Sequence, residues 1–198
     1  MKRSCPSAKR YAVICCLLAT LIGFGGIGMT KADNSQTVNC ESQGMEVSDP
    51  SMLRPTCNQA VISGTNTRST LTVLVANSSG SVIIVRRFKA GFRTYIPGAS
   101  AQEWLSRDTV FARVQGLSAR GVLSGYETAS FRGTFSGGGT SALSCFTFVR
   151  NEGNPQGELS GAVGSLIVVE GSYCKATPSE LSDGEIRAVL AAIHVRTN

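Results

Sequence analysis

The first 32 residues constrain the fold most, because they decide which part of the chain folds and in which redox environment. Basic residues between Lys2 and Arg10 precede an apolar stretch from Tyr11 to Gly28, which is followed by Thr30-Lys31-Ala32. This order of basic, apolar and small residues is typical of a secretory signal peptide. The sequence therefore predicts cleavage after Ala32 and a mature protein that is periplasmic or secreted.

The same apolar stretch has a second interpretation, since a membrane-spanning helix needs about 20 residues. Its second half, residues 23–28, contains four glycines, which weaken both helix formation and hydrophobicity. This composition favours cleavage. If the segment were retained, it would tether the folded domain to the membrane.

Charge is distributed unevenly between this segment and the rest of the chain. Five of the 19 Lys and Arg residues lie in the first 32 residues, and none of the 13 Asp and Glu residues do. The basic isoelectric point therefore reflects mainly the export segment, while the remainder is nearly neutral. The sequence gives no reason to expect nucleic-acid binding.

Four cysteines remain beyond the predicted signal peptide: Cys40, Cys57, Cys145 and Cys174. An even number of cysteines in an exported domain indicates disulfides, and three pairings are possible. Pairing of nearest neighbours, Cys40 with Cys57 and Cys145 with Cys174, needs no long-range threading and is favoured. No C-x-x-C motif occurs and the chain has one histidine, so we expect neither a metal site nor a cofactor.

Residues 33–58 are polar and rich in turn-forming residues, and we expect an irregular N-terminal arm held by the first disulfide. From residue 59 to 198 the chain has the length and pattern of a single β-rich domain. Residues 71–76 and 82–85 flank a turn and predict a β-hairpin. Further strands are predicted at 109–115, 129–135, 145–149 and 165–169.

Two helices have recognisable starts. Ser100 and Glu103 form a capping-box pattern, as do Ser182 and Glu185. The second helix has an apolar stripe that runs from Ile186 to Ile193. The expected fold is α+β and β-rich, with a mostly antiparallel sheet and a C-terminal amphipathic helix packed on it.

The densest basic and aromatic segment lies between residues 86 and 95. Its cations, Arg86, Arg87, Lys89 and Arg93, suit an anionic envelope ligand, because arginine side chains pair well with carboxylates and phosphates. The alternative is a strand end whose charges face solvent and whose aromatic side chains join the core. A protein partner is the other binding hypothesis for this chain.

The sequence as a whole predicts an exported, disulfide-stabilised binding or structural module of the periplasm or cell envelope. The alternative is a small secreted hydrolase that uses a pair of carboxylates as acid and base. Six carboxylates of the central region are candidates for such a pair: Glu103, Asp108, Glu127, Glu152, Glu158 and Glu170. Glu170 is notable among them because it ends an apolar run.

Overall fold

A single antiparallel sheet of eight strands organises the fold. A computed structural model of the chain describes residues 32–49, 51–63, 68–91, 96–136, 141–153 and 165–196. The strands of the large sheet lie in the spatial order β1-β3-β4-β5-β9-β8-β7-β6, and β2 pairs separately with β10. The strands are β1 (Ala32–Val38), β2 (Met45–Val47), β3 (Thr56–Ser63), β4 (Arg68–Asn77), β5 (Ser81–Ala90), β6 (Phe111–Leu123), β7 (Tyr126–Phe135), β8 (Leu143–Glu152), β9 (Ile167–Lys175) and β10 (Ile193–Val195).

Helices cover the sheet on both faces. Helix α1 (Ala101–Arg107) packs on one face with Leu105, which we call the α1 face. Helix α2 (Asp183–Ala191) packs on the other with Ile186 and Leu190, together with the β2–β10 pair, and we call this the α2 face. Strand β9 lies between these layers at the centre of the sheet, and all of its residues except Lys175 are buried.

The predicted β-rich architecture is confirmed at the level of a large antiparallel sheet with short helices. The hairpin of β4 and β5 forms where two β-rich runs on either side of a turn predicted it. Both capping boxes form, with Ser100 and Ser182 each accepting a hydrogen bond from the backbone N–H three residues later. The second helix ends at Ala191 rather than continuing through Ile193, because residues 193–195 pair with β2 instead.

The segment at 33–58, expected to be irregular, contains most of β1, all of β2 and the start of β3. Its polar residues carried no strand pattern, since β1 lies at the edge of the sheet and has a neighbour on one side only. Pairing with β3 therefore determines its conformation, rather than burial of an apolar face. The predicted signal peptide lies outside the described residues apart from Ala32.

Both disulfides follow the favoured pairing. Cys40 and Cys57 join the turn after β1 to β3, with a Cα–Cα distance of 5.2 Å. Cys145 and Cys174 are directly opposite one another on β8 and β9, with a Cα–Cα distance of 4.1 Å, and both are buried. The second disulfide links two adjacent central strands just before the segment that leads to α2.

Candidate functional site

A cluster of three charged side chains is buried beneath α1. Arg86 on β5 and Glu170 on β9 are cross-strand neighbours, and Nη1 of Arg86 donates to Oε1 of Glu170 at 2.9 Å. The same guanidinium donates to both carboxylate oxygens of Asp108, at 3.0 Å each. Each of the three side chains is no more than 7% exposed. Two carboxylates therefore share one buried cation.

The register of the strands explains why these groups meet. Arg86 and Glu170 each follow a run of apolar residues, at 82–85 and 166–169. The antiparallel register of β5 and β9 places the two charges opposite one another, and the two runs extend from this pair in opposite directions. Side chains of directly opposed residues lie on the same face of a sheet. Asp108 reaches this face because it is the C-terminal cap residue of α1.

The same cross-strand row orients α1. Glu127 on β7 lies in register with Arg86 and Glu170, three strands away from Arg86. Its carboxylate accepts a hydrogen bond of 3.1 Å from the backbone N–H of Ala101, at the start of the helix, while Arg86 binds Asp108 at the end. Three inter-strand spacings amount to about 14 Å, close to the length of a short helix with its caps. Helix α1 therefore crosses the strands and is held at both ends.

Burial and the neighbouring charges shift the pKa values of Arg86 and Glu170. Burial alone would lower the pKa of Arg86, but the negative charges of Glu170 and Asp108 and their hydrogen bonds outweigh it, so the pKa is raised and the guanidinium stays charged. Burial raises the pKa of Glu170 above its ordinary value, and repulsion from Asp108 adds to this, against the attraction of Arg86. Arg86 therefore stays a cation, while the pKa of Glu170 is shifted upward by its burial.

This direction predicts a specific pH dependence. Because the pKa of Glu170 is higher in the folded than in the unfolded protein, its protonated form stabilises the fold. This contribution to the free energy of unfolding is complete below about pH 4.5, the ordinary pKa of the group, and is lost as the pH rises through the folded-state pKa. We expect the free energy of unfolding of wild type, relative to Glu170→Gln, to fall with rising pH, by at most about 1.4 kcal/mol per pH unit. Urea unfolding of both proteins across this range measures the difference. A difference that grows with pH would instead mean that the folded state prefers ionised Glu170.

The four candidate ligand-binding cations do not occupy one surface. Arg86 faces α1 and is buried. Arg87, the next residue, faces α2, where its Nη1 donates to the backbone carbonyls of Gln43 and Arg196 at 2.6 and 3.1 Å. These bonds fasten the β2–β10 pair to the sheet.

Lys89 is exposed on β5, and Arg93 lies outside the described residues. Anionic-ligand binding by the whole set stays a prediction. The opposite orientations of Arg86 and Arg87 count against it.

Most of the candidate carboxylates have structural partners. Glu103 accepts hydrogen bonds from the backbone N–H and side chain of Ser100, and these bonds lower its pKa. Glu152 forms an ion pair with Arg150. Asp108 and Glu170 do converge, as an acid–base pair requires, but they converge on a buried arginine rather than in an open cleft. Glu158 lies outside the described residues.

A serine–histidine contact was not predicted. His194 lies on β10, where its Nε2 is 3.2 Å from Oγ of Ser48. Both residues are exposed, and the Ser48 hydroxyl also lies 3.3 Å from the carbonyl of Ala192. The contact joins the end of β2 to β10. No sequence motif indicated it, because the two residues are 146 positions apart.

The most exposed feature of the sheet is β6. Residues 112–122, which we call the β6 strip, are exposed on both sides of the strand, apart from the partly buried Arg120. The strand predicted at 109–115 forms as part of β6, but its residues 112–115 are exposed rather than half-buried, and β6 is the last strand of the sheet. A shallow groove of about 180 Å³ lies beside it, and its lining includes Gln115, Ser130, Arg132 and Glu180.

No family model, curated protein or solved structure matches this chain. Within the described ranges, no helix is long and apolar enough to cross a membrane. Nor do those residues include a group of three or more His, Cys, Asp or Glu side chains placed to hold a metal ion. The features of the described residues that bear on function are the disulfides, the buried cluster and the exposed strand.

Proposed function

We propose that this protein is an exported, disulfide-stabilised binding module of the periplasm or cell envelope. The observation that carries the proposal is the state of the cysteines: all four that follow the predicted signal peptide are joined in two disulfides. Disulfides persist in oxidising compartments and are rare in the reducing cytosol. Two disulfides within a mostly β domain are compatible with a stabilised extracellular module.

The arrangement of the charged groups supports binding over hydrolysis. Arg86, Asp108 and Glu170 satisfy one another beneath α1, and Glu103 and Glu127 help to form or hold that helix. These carboxylates stabilise the fold where they lie. Among the described residues, exposed large apolar side chains are concentrated on the outer strand β6.

The test is to isolate the protein from its host and identify both its location and its N-terminus. We expect the protein in the periplasmic or secreted fraction, with a mature chain that begins at Asp33. The matched control is a variant in which the apolar stretch is interrupted by Ile14→Arg and Leu18→Arg, which should stay in the cytosol uncleaved. A wild-type cytosolic protein that still begins at Met1 or Lys2 would overturn the proposal.

A further inference from the structure

We infer that the β6 strip binds an extended, acidic segment of another protein, which adds to the edge of the sheet. This inference names a partner for the module proposed above and rests on that proposed function. Edge strands present backbone N–H and C=O groups that lack a neighbour, and recognition by strand addition uses these groups together with side-chain contacts. An extended polypeptide carries alternating N–H and C=O groups at the spacing of a strand edge, which favours a protein segment over a lipid or a polysaccharide.

Apolar exposure is concentrated on this strand. In the part of the chain that the structure describes, five large apolar side chains are exposed, and three of them lie on β6: Val114 at 37%, Leu117 at 39% and Val122 at 69%. Single exposed apolar residues are ordinary, but several on one edge strand mark a surface for interaction. A bound segment would cover them.

Charge sets the character of that segment. Strand β6 carries Arg113 and Arg120 and no carboxylate. Arg120 already pairs with Glu180 at 2.8 Å and lies 3.9 Å from Asp183, whereas Arg113 is exposed. Arg113 is therefore the cation available to a partner, and an acidic side chain opposite it would be favoured.

The bulges of β6 confine strand addition to short regular runs, and its charge disfavours a second copy of the chain. The pairing with β7 shifts at three places, which leaves a regular run at 113–115 and shorter or equal runs beyond it. Bulges blunt a strand edge against indiscriminate pairing with another edge. Pairing of two copies through the 113–115 run would also bring two Arg113 side chains close together across the paired strands, and β6 has no carboxylate to neutralise them. This like-charge contact is unfavourable.

The binding test uses the purified, oxidised protein labelled with ¹⁵N and a short synthetic peptide in which glutamate alternates with threonine and valine. We expect amide shift changes centred on residues 113–115, and a much weaker response to the same peptide with lysine in place of glutamate. Arg113→Glu should weaken binding about tenfold, because an attraction becomes a repulsion. The control Arg187→Glu, at an exposed position on α2, should leave binding unchanged.

Several results would overturn the inference. They are the absence of shifts on β6, equal binding of the acidic and basic peptides, or shifts on β6 produced by phosphatidylglycerol vesicles and not by the acidic peptide. Concentration-dependent shifts on β6 without peptide would instead identify a second copy as the occupant. This measurement uses purified protein and does not depend on export. A failure to bind the peptide would therefore not contradict the proposed compartment, and a cytosolic location would not contradict observed binding.

Discussion

Replacing Arg86 with methionine is expected to lower the free energy of unfolding by about 3–5 kcal/mol. The substitution keeps an unbranched side chain of similar length but leaves two buried carboxylates, Asp108 and Glu170, without their shared cation. A buried charge whose partner has been removed keeps its desolvation cost and loses the compensating attraction. Helix α1 would also lose the contact that holds its C-terminal end.

Urea unfolding at neutral pH, followed by far-UV circular dichroism, measures this loss. Arg113→Met is the matched control, because Arg113 is exposed on β6 and its replacement should change stability by less than about 0.5 kcal/mol. The triple variant Arg86→Met, Asp108→Asn and Glu170→Gln removes the ionic charges together and should recover much of the lost stability. An Arg86→Met protein within 1 kcal/mol of wild type would show that the cluster does not stabilise the fold in this way.

Removal of the central disulfide is the second large effect that we expect. The variant Cys145→Ala with Cys174→Ala should lose about 3–4 kcal/mol, since the bond closes a sequence separation of 29 residues in the unfolded chain. Both sulfur atoms are also buried between β8 and β9, so their removal leaves a gap in the α1-face core.

The other disulfide is the natural comparison. The double variant Cys40→Ala with Cys57→Ala removes a disulfide that spans only 17 residues of sequence, near the edge of the sheet. Cys40 is also only partly buried. We expect a smaller loss for this pair by chemical denaturation without reductant. Equal stability of wild type and the Cys145/Cys174 variant would refute a stabilising role for the central disulfide.

The sequence predicted the elements whose pattern is local. The β4–β5 hairpin has a turn between two apolar runs, and each capping box requires residues only three positions apart, so neighbouring residues carry the information. The favoured disulfide pairing was also correct. It joined each cysteine to its neighbour in sequence, and the Cys145–Cys174 bond coincides with the pairing of consecutive strands, β8 and β9.

The features that depend on distant pairing were not predictable in the same way. Arg86 and Glu170 are 84 residues apart, and only the register of β5 with β9 brings them together. A usable indication was present, because each charge directly follows an apolar run of a predicted strand. This position indicated that each charge adjoins a buried segment, but it did not indicate that the two charges lie opposite one another.

The exposure of β6 was missed for a related reason. Alternating residues at 110–115 resemble a half-buried strand, and this expectation assumes that the strand has a covered face. Strand β6 lies at the end of the sheet because β9 pairs directly with β5, although β6, β7 and β8 come between these two strands in the sequence. No local pattern specifies this topology. Another non-local pairing, between β10 and β2, ends the last helix at Ala191 and places His194 on a strand.

The most direct test of the account is the oxidation state of the cysteines in protein taken from its native host. Cells would be lysed in an alkylating reagent that blocks free thiols, and the intact protein would be analysed by mass spectrometry before and after reduction. We expect no alkylation of Cys40, Cys57, Cys145 or Cys174 before reduction, and alkylation of all four when reagent is added after it. Four alkylated cysteines before reduction would contradict an exported, disulfide-stabilised module.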